Sequence, residues 1–256
     1  MKILRNLPNG IKLFRSVGIF NFYLKDLEAL RASGDAEKER ELIAHATNIW
    51  VDKVIDLFDL TVNVSGRENI PSEGPCVFIA NHQGYADIVV LFKAAQGRQI
   101  GFIAKDTLEK VPYFGKWIRA IRGVFIKRGD TREALKSIQA GVQTLKEGYS
   151  LVIFPEGTRS RKAEMGSFKA GSFKLATKAR VPIVPVSING TRHMFEDKGV
   201  ITGGATVDIL IHPYIDTASL DRHQTANIVH QVEDTIRKGL EQLVEIEQAR
   251  ENQKEE

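Results

Sequence analysis

His82 and Asp87, in the stretch Asn81-His82-Gln83-Gly84-Tyr85-Ala86-Asp87, are residues whose types and spacing fit proton-transfer chemistry. An imidazole whose one ring N–H is held by a carboxylate keeps a fixed tautomer and leaves the other nitrogen free as a base. On one continuous helix a separation of five residues would point the two side chains about 140° apart, because a helix turns about 100° per residue. The segment between them is therefore predicted to bend, with Asp87 in the first turn of a helix and reaching back to the ring. No Ser or Cys lies within the stretch, so the nucleophile would be a hydroxyl of the substrate. Taken alone the spacing is common, and more often means a carboxylate favouring a helix start beside a partly buried turn histidine.

Three cations change that balance. Lys105, Arg128 and Arg159 each follow a short apolar run, at residues 100–104, 123–126 and 150–154, that reads as a strand. Each alone suits a solvated strand end. Gathered beside one His/Asp pair they suit a phosphate-bearing substrate, since Arg offers paired donors to phosphate oxygens and Lys a point charge.

The elements that must position these groups alternate between strand and helix. Residues 76–80 form a buried strand ahead of His82, and Gly84 permits a sharp turn before a helix near 86–92. Residues 61–64 and 206–211 read as further strands, and 131–145, about 168–178 and 225–247 as helices. The run 181–188 is apolar but holds Pro182 and Pro185, which predicts an interrupted or edge-like strand. Such alternation implies an α/β fold: a single domain with a mixed, mostly parallel sheet flanked by helices, and ligands at the carboxyl ends of the strands.

Ahead of it, residues 1–60 read as two helices, 9–32 and 36–60, broken at Ser33-Gly34-Asp35, with the α/β domain and its C-terminal helix occupying 61–256. The first helix is too apolar for one narrow stripe, and its cations cluster at the start. Two arrangements fit it evenly: a helix lying in a membrane interface with Lys and Arg toward anionic headgroups, or a helix packed on the domain or in a dimer.

Composition narrows the classes. The 256 residues are 43% hydrophobic and 27% charged, ordinary for a globular chain with a real core. Cys76 is the single cysteine, so no disulfide framework exists and a reducing compartment fits. The net charge of +4 is uneven, with a basic start and an acidic end. No apolar stretch approaches the roughly 18 to 20 residues that span a bilayer, and no signal-peptide pattern is seen. No phosphate-binding glycine loop of the Walker type, no Cys/His metal spacing and no nucleic-acid motif accompanies the basic stretch of Arg161, Lys162, Lys169, Lys174, Lys178 and Arg180. His45, His193, His212, His223 and His230 suit surface or core positions better than ligand ones.

The ordered blocks Asn81-His82-x4-Asp87, Gly123-Val124-Phe125-Ile126-Lys127-Arg128, Phe154-Pro155-Glu156-Gly157-Thr158-Arg159 and Val181-Pro182-Ile183-Val184-Pro185-Val186 resemble those of the glycerolipid acyltransferases, of the bacterial 1-acyl-sn-glycerol-3-phosphate type. The likeness covers residues 62–213, and the paired N-terminal helices look like that family's membrane-docking hairpin. Gly84 departs from it, since many relatives carry Ser there. The resemblance implies His82 as general base and Asp87 as its orienting partner. It implies Arg128, Glu156, Gly157 and Arg159 lining the acceptor site, and Pro185 in the wall of the acyl or acceptor pocket. Lys105 joins the substrate-binding set from the strand-end argument and matches a commonly basic position in relatives. The acceptor would be lysophosphatidic acid and the donor acyl-CoA or an acyl carrier protein thioester, with no other cofactor; the alternatives are another lysophospholipid or glycerol 3-phosphate as acceptor, or a non-catalytic phospholipid-binding protein. The oxyanion would be held by backbone N–H groups near a helix start. The protein would sit at the cytoplasmic face of the cell membrane, peripheral or monotopic, on anionic phospholipid.

Overall fold

Apolar runs too short for helices, with no exposed residue among them, make the middle of a seven-stranded sheet. This is the burial expected when helices cover both faces of a largely parallel sheet. The computed structural model describes residues 2–127, 129–160 and 164–255. In chain order the elements are α1 (Lys2–Val17), α2 (Leu24–Ser33), α3 (Ala36–Leu57), β1 (Thr61–Ser65), β2 (Val77–Ala80), α4 (Asp87–Ala94), β3 (Ile100–Lys105), α5 (Phe114–Ala120) and β4 (Val124–Ile126). There follow α6 (Thr131–Lys146), β5 (Ser150–Ile153), α7 (Lys174–Ala179), β6 (Ile183–Asn189), β7 (Thr206–Ile211) and α8 (Arg222–Glu255).

The spatial order is β1-β7-β6-β2-β5-β3-β4. Strands β6, β2, β5, β3 and β4 run parallel, β7 lies antiparallel to β6, and β1 pairs parallel with β7. The carboxyl ends of β2, β5 and β3 therefore share one edge of the sheet, where an α/β fold collects its chemistry. Alternation along β2 sends Phe78 to the face packed by Trp50, Phe92 and Trp117, and Val77 and Ile79 to the face packed by Leu145, Leu175 and Ile236. Cys76 is buried just ahead of β2, and burial pushes its thiol up to about 11, too high for a nucleophile.

Two expectations need correction. Strand β6 is neither interrupted nor at an edge: it spans seven buried residues between β2 and β7. Pro185 is tolerated because its carbonyl, and hence its missing N–H, faces the β7 side, where the carbonyl accepts from His212 N as that chain leaves the ladder after Ile211. Pro185 is thus a buried sheet residue paired with Ile79, not part of a pocket wall. The helix expected at 9–32 is also broken, by a 3-10 turn at Gly18–Phe22. That turn drives Phe20 into contact with Trp50 and Trp117, at ring separations of 6.1 and 5.6 Å, while Phe22 stays 81% exposed.

Val17, Phe20 and Leu27 of this N-terminal region share one hydrophobic cluster with Trp50, Phe92 and the sheet. Polar contacts lock the same junction. Glu39 of α3, 1% exposed, binds Arg31 of α2, Arg122 after α5 and the Tyr149 hydroxyl before β5. Packing on the domain is thus what the buried side chains of the first helices do. Ile11, Phe14, Phe22, Ile49 and Leu57 nevertheless remain exposed. Among the described residues no helix is long and apolar enough to cross a membrane.

Candidate active site

The turn between β2 and α4 has the bend that the sequence spacing demands. Asp87 is the first residue of α4 and fully buried, and its Oδ2 lies 2.6 Å from His82 Nδ1. The same oxygen accepts the backbone N–H groups of Gln83 at 2.8 Å and Gly84 at 3.0 Å, while Oδ1 accepts from the Thr191 hydroxyl. With Nδ1–H donating to a carboxylate, Nε2 is left with its lone pair, and among the described residues it makes no hydrogen bond. The ring is 16% exposed and stacks on Phe154 at the end of β5, with centroids 4.1 Å apart. An imidazole of fixed orientation thus sits at the carboxyl edge of the sheet, just past the end of β2.

The residues around His82 hold it from several directions. Asn81 mimics a further strand residue: its Nδ2 donates to Ile188 O and its Oδ1 accepts from Ile188 N, both at 2.8 Å. Gln83 pairs with Asn189 and accepts from Gly190 N at the end of β6. Glu156 is 8% exposed and takes the backbone N–H of His82 at 2.7 Å on one oxygen. Its other oxygen takes the Ser160 hydroxyl and Gly166 N. Both oxygens being engaged by the protein, Glu156 sits behind the histidine as its support rather than lining an acceptor pocket. Gly157 has φ of +74°, and a Cβ there would meet Lys169 Nζ at 2.6 Å, so its role is in the backbone turn.

Arg159 does reach the site. Its guanidinium donates to Glu196 Oε1 at 2.6 Å and lies 3.8 Å above the ring of Tyr85, inside the His82 to Asp87 turn. Lys105 is the last residue of β3 rather than the one after it, exposed and, among the described residues, without an ion pair. It lies on the same edge two strands from β2, which is about 10 Å at ordinary strand spacing. Arg128 lies outside the described residues. Sequence reasoning gave no role to Asn81, Tyr85, Thr191 or Glu196, and placed Lys169 only in a basic stretch. Asn81 alone carried a signal, standing beside His82 in the first block. The backbone N–H groups of Gln83 and Gly84 are taken by Asp87, and that of Tyr85 by Glu196 at 3.1 Å. These three N–H groups, which precede α4, are not free to hold an oxyanion.

A histidine held by a buried carboxylate, with a guanidinium stacked on Tyr85 of the same turn, is an arrangement that can activate a hydroxyl next to an anionic group. The Acyltransferase family profile matches residues 61–189, from the start of β1 to the end of β6, about half of the chain. The chain belongs to the Acyltransferase family. A member of that family from Borreliella burgdorferi, a 1-acyl-sn-glycerol-3-phosphate acyltransferase, is 30% identical over 73% of this chain and 74% of its own length. A chloroplastic 1-acyl-sn-glycerol-3-phosphate acyltransferase of Arabidopsis thaliana is 35% identical over 62% of this chain and 45% of its own. The chain spans about half the length of that plant relative and of a second from Brassica napus. The acyltransferase-family fold extends beyond the matched residues. The crystal structure of the 1-acyl-sn-glycerophosphate acyltransferase of Thermotoga maritima superposes with a TM-score of 0.77 and 29% identity, covering 95% of this chain and 98% of that one.

Proposed function

We propose that this protein transfers a fatty acyl group from an acyl thioester to the sn-2 hydroxyl of 1-acyl-sn-glycerol 3-phosphate, giving phosphatidic acid. The observation that carries the reading is the contact of 2.6 Å between His82 Nδ1 and Asp87, with Arg159 lying over Tyr85 of the same turn. The names of the relatives favour this acceptor over other lysophospholipids. Coenzyme A and an acyl carrier protein both suit as the thioester carrier. Exposed Lys169, Lys174 and Lys178 offer charge complementarity to an acidic carrier.

The mechanism follows from the geometry. His82 Nε2 removes the sn-2 hydroxyl proton as that oxygen forms its bond to the thioester carbonyl carbon. The buried Asp87 carboxylate stabilises the resulting imidazolium through Nδ1–H. The C–S bond then breaks, and the imidazolium returns the proton to the departing sulfur. A thiol with a pKa of about 8.5 leaves without a second acid. Arg159 and Lys105 anchor the acceptor phosphate, which turns a bimolecular encounter into an oriented one.

The acceptor and product are lipids, and the exposed apolar residues of the N-terminal region suit a headgroup interface. We place the protein on anionic phospholipid at the cytoplasmic face of the cell membrane, docked through Ile11, Phe14 and Phe22. Phe14 meets Tyr113 edge-on at 5.3 Å, so this face continues into the segment before α5.

The test is purified protein with lysophosphatidic acid and either acyl-CoA or an acyl carrier protein thioester, following thiol release and phosphatidic acid. Acceptor-dependent release is expected. Release that proceeds equally without acceptor would make the protein a thioesterase, and no release with either thioester would end the reading.

A further inference from the structure

We propose that Glu196 is the positioning residue that sets Arg159 for the acceptor phosphate, and that Gly84 is the position that makes room for it. This rests on the acyl-transfer reading above and assigns a role to a residue outside the four sequence blocks.

Glu196 lies between the Thr191–Met194 turn and β7. Its Oε1 accepts from Arg159 Nη1 at 2.6 Å and from Tyr85 N at 3.1 Å, joining the loop after β5 to the turn that holds the base. Arg159 is thereby fixed by one nitrogen and, through Tyr85, by one face. A guanidinium carries five N–H donors in a rigid fork, so the Nε and Nη2 edge stays available for two phosphate oxygens. Without the carboxylate, a long side chain that is 34% exposed would sample several rotamers and would have to be ordered by the substrate.

Two further observations mark this carboxylate as more than a local brace. Glu196 Oε2 is buried with no hydrogen-bond partner among the described residues, an arrangement that costs stability. Also, a Cβ at Gly84 would stand 2.6 Å from that oxygen, so any side chain at this position would force the Glu196 carboxylate to shift. The chain thus keeps both an unpaired oxygen and a glycine next to its base in order to hold one guanidinium in place.

The experiment compares Glu196→Ala, Glu196→Gln and Arg159→Ala, singly and with Glu196→Ala combined with Arg159→Ala, in full-length protein of verified melting temperature. Acceptor and thioester KM are measured by thiol release. Binding of a short-chain 1-acyl-sn-glycerol 3-phosphate is measured by calorimetry, which needs no turnover. Glu196→Ala is expected to raise the acceptor KM and Kd about tenfold, the value of ordering one such side chain, with the thioester KM moved less than about twofold. Glu196→Gln, whose amide oxygen still accepts from Arg159 and Tyr85, recovers most of the loss. In the Arg159→Ala background Glu196→Ala adds nothing. Equal rises in both KM values, or additive losses in the double variant, would overturn the proposal. A tighter acceptor in Glu196→Ala would overturn it too, since the carboxylate would then be competing with phosphate for Arg159. Unmodified protein that binds the lipid phosphate but releases no thiol would refute the acyl-transfer reading while the binding comparison still decides the role of Glu196.

Discussion

Replacing Asp87 by Asn separates the charge of the dyad from its geometry. Asp87 Oδ2 receives three donors, from His82 Nδ1, Gln83 N and Gly84 N, and the two backbone N–H groups among them cannot accept in return. An Asn there must turn its carbonyl oxygen to the same three, leaving its NH2 toward the Thr191 hydroxyl, which rotates to accept. The imidazole tautomer is preserved, and only the negative charge facing the developing imidazolium is lost. Charge centres about 4 Å apart interact by about 4 kcal/mol at an effective dielectric of about 20, and a neutral acceptor retains part of the hydrogen bond. A net loss of about 3 to 4 kcal/mol corresponds to a fall in kcat of about 10² to 10³. Asp87→Ala differs in kind. It strands four donors at about 1 to 3 kcal/mol each, so it should cost at least about 4 kcal/mol of fold stability as well as activity. The assay is acceptor-dependent thiol release together with thermal melting. Asn within about threefold of the unmodified kcat would refute the imidazolium mechanism. Equal melting losses for Asn and Ala would refute the geometry drawn for the amide.

Three further outcomes follow. His82→Ala should lower kcat by about 10² to 10⁴ with little change in melting temperature, and near-normal turnover would remove the base from the mechanism. Burial works to raise the Glu39 carboxyl, but hydrogen bonds from Arg122, Tyr149 and Arg31 together outweigh it and hold the group below its ordinary 4.5. A depressed group contributes its stability in full above the unfolded value and loses it as pH falls through the folded one. Glu39→Gln should therefore cost about 2 to 3 kcal/mol at neutral pH, less than a fully buried pair because both arginines reach solvent. The gap to the unmodified protein should then close as pH drops below 4.5, and parallel melting curves down to acid pH would sink that account. Ile11→Glu with Phe22→Glu, both exposed positions, should reduce sedimentation with anionic vesicles at unchanged melting temperature. Unchanged sedimentation would count against membrane docking. Deleting residues 1–30 is a poorer test, since it strips Val17, Phe20 and Leu27 from the core.

What the sequence reveals here is what is local. The bend from His82 to Asp87 follows from a spacing of five, and the strand ahead of it from an apolar run bounded by Pro75 and Asn81. Arg159 is legible because a strand end in an α/β sheet has a known place. Strand β6 was misread because the proline rule concerns a hydrogen-bond partner, and the chain lying opposite Pro185 is set by residues about 25 positions later. Glu156 was misplaced for a related reason. Its type and motif suggest a ligand, but only the fold shows that both its oxygens are already engaged by His82, Ser160 and Gly166. Thr191 and Glu196 stand more than 100 residues from the turn that they brace, and no pattern of spacing links them to it.

Segments from three distant parts of the chain converge on a single turn, which explains why a site of so few reactive atoms needs so long a chain. Glu156 fixes the backbone of His82 from the loop after β5, Asn81 and Gln83 tie the turn to the end of β6, and Thr191 and Glu196 reach it from the segment beyond. Each contact is made to a backbone group or to the carboxylate of Asp87, and none to the free nitrogen of His82. Binding the imidazole itself would hold the ring equally well but would occupy its lone pair. Support through the backbone and through Nδ1 instead leaves Nε2 as the one basic atom of the turn without a partner among the described residues, and so, on the proposed function, as the atom to which the acceptor hydroxyl would turn.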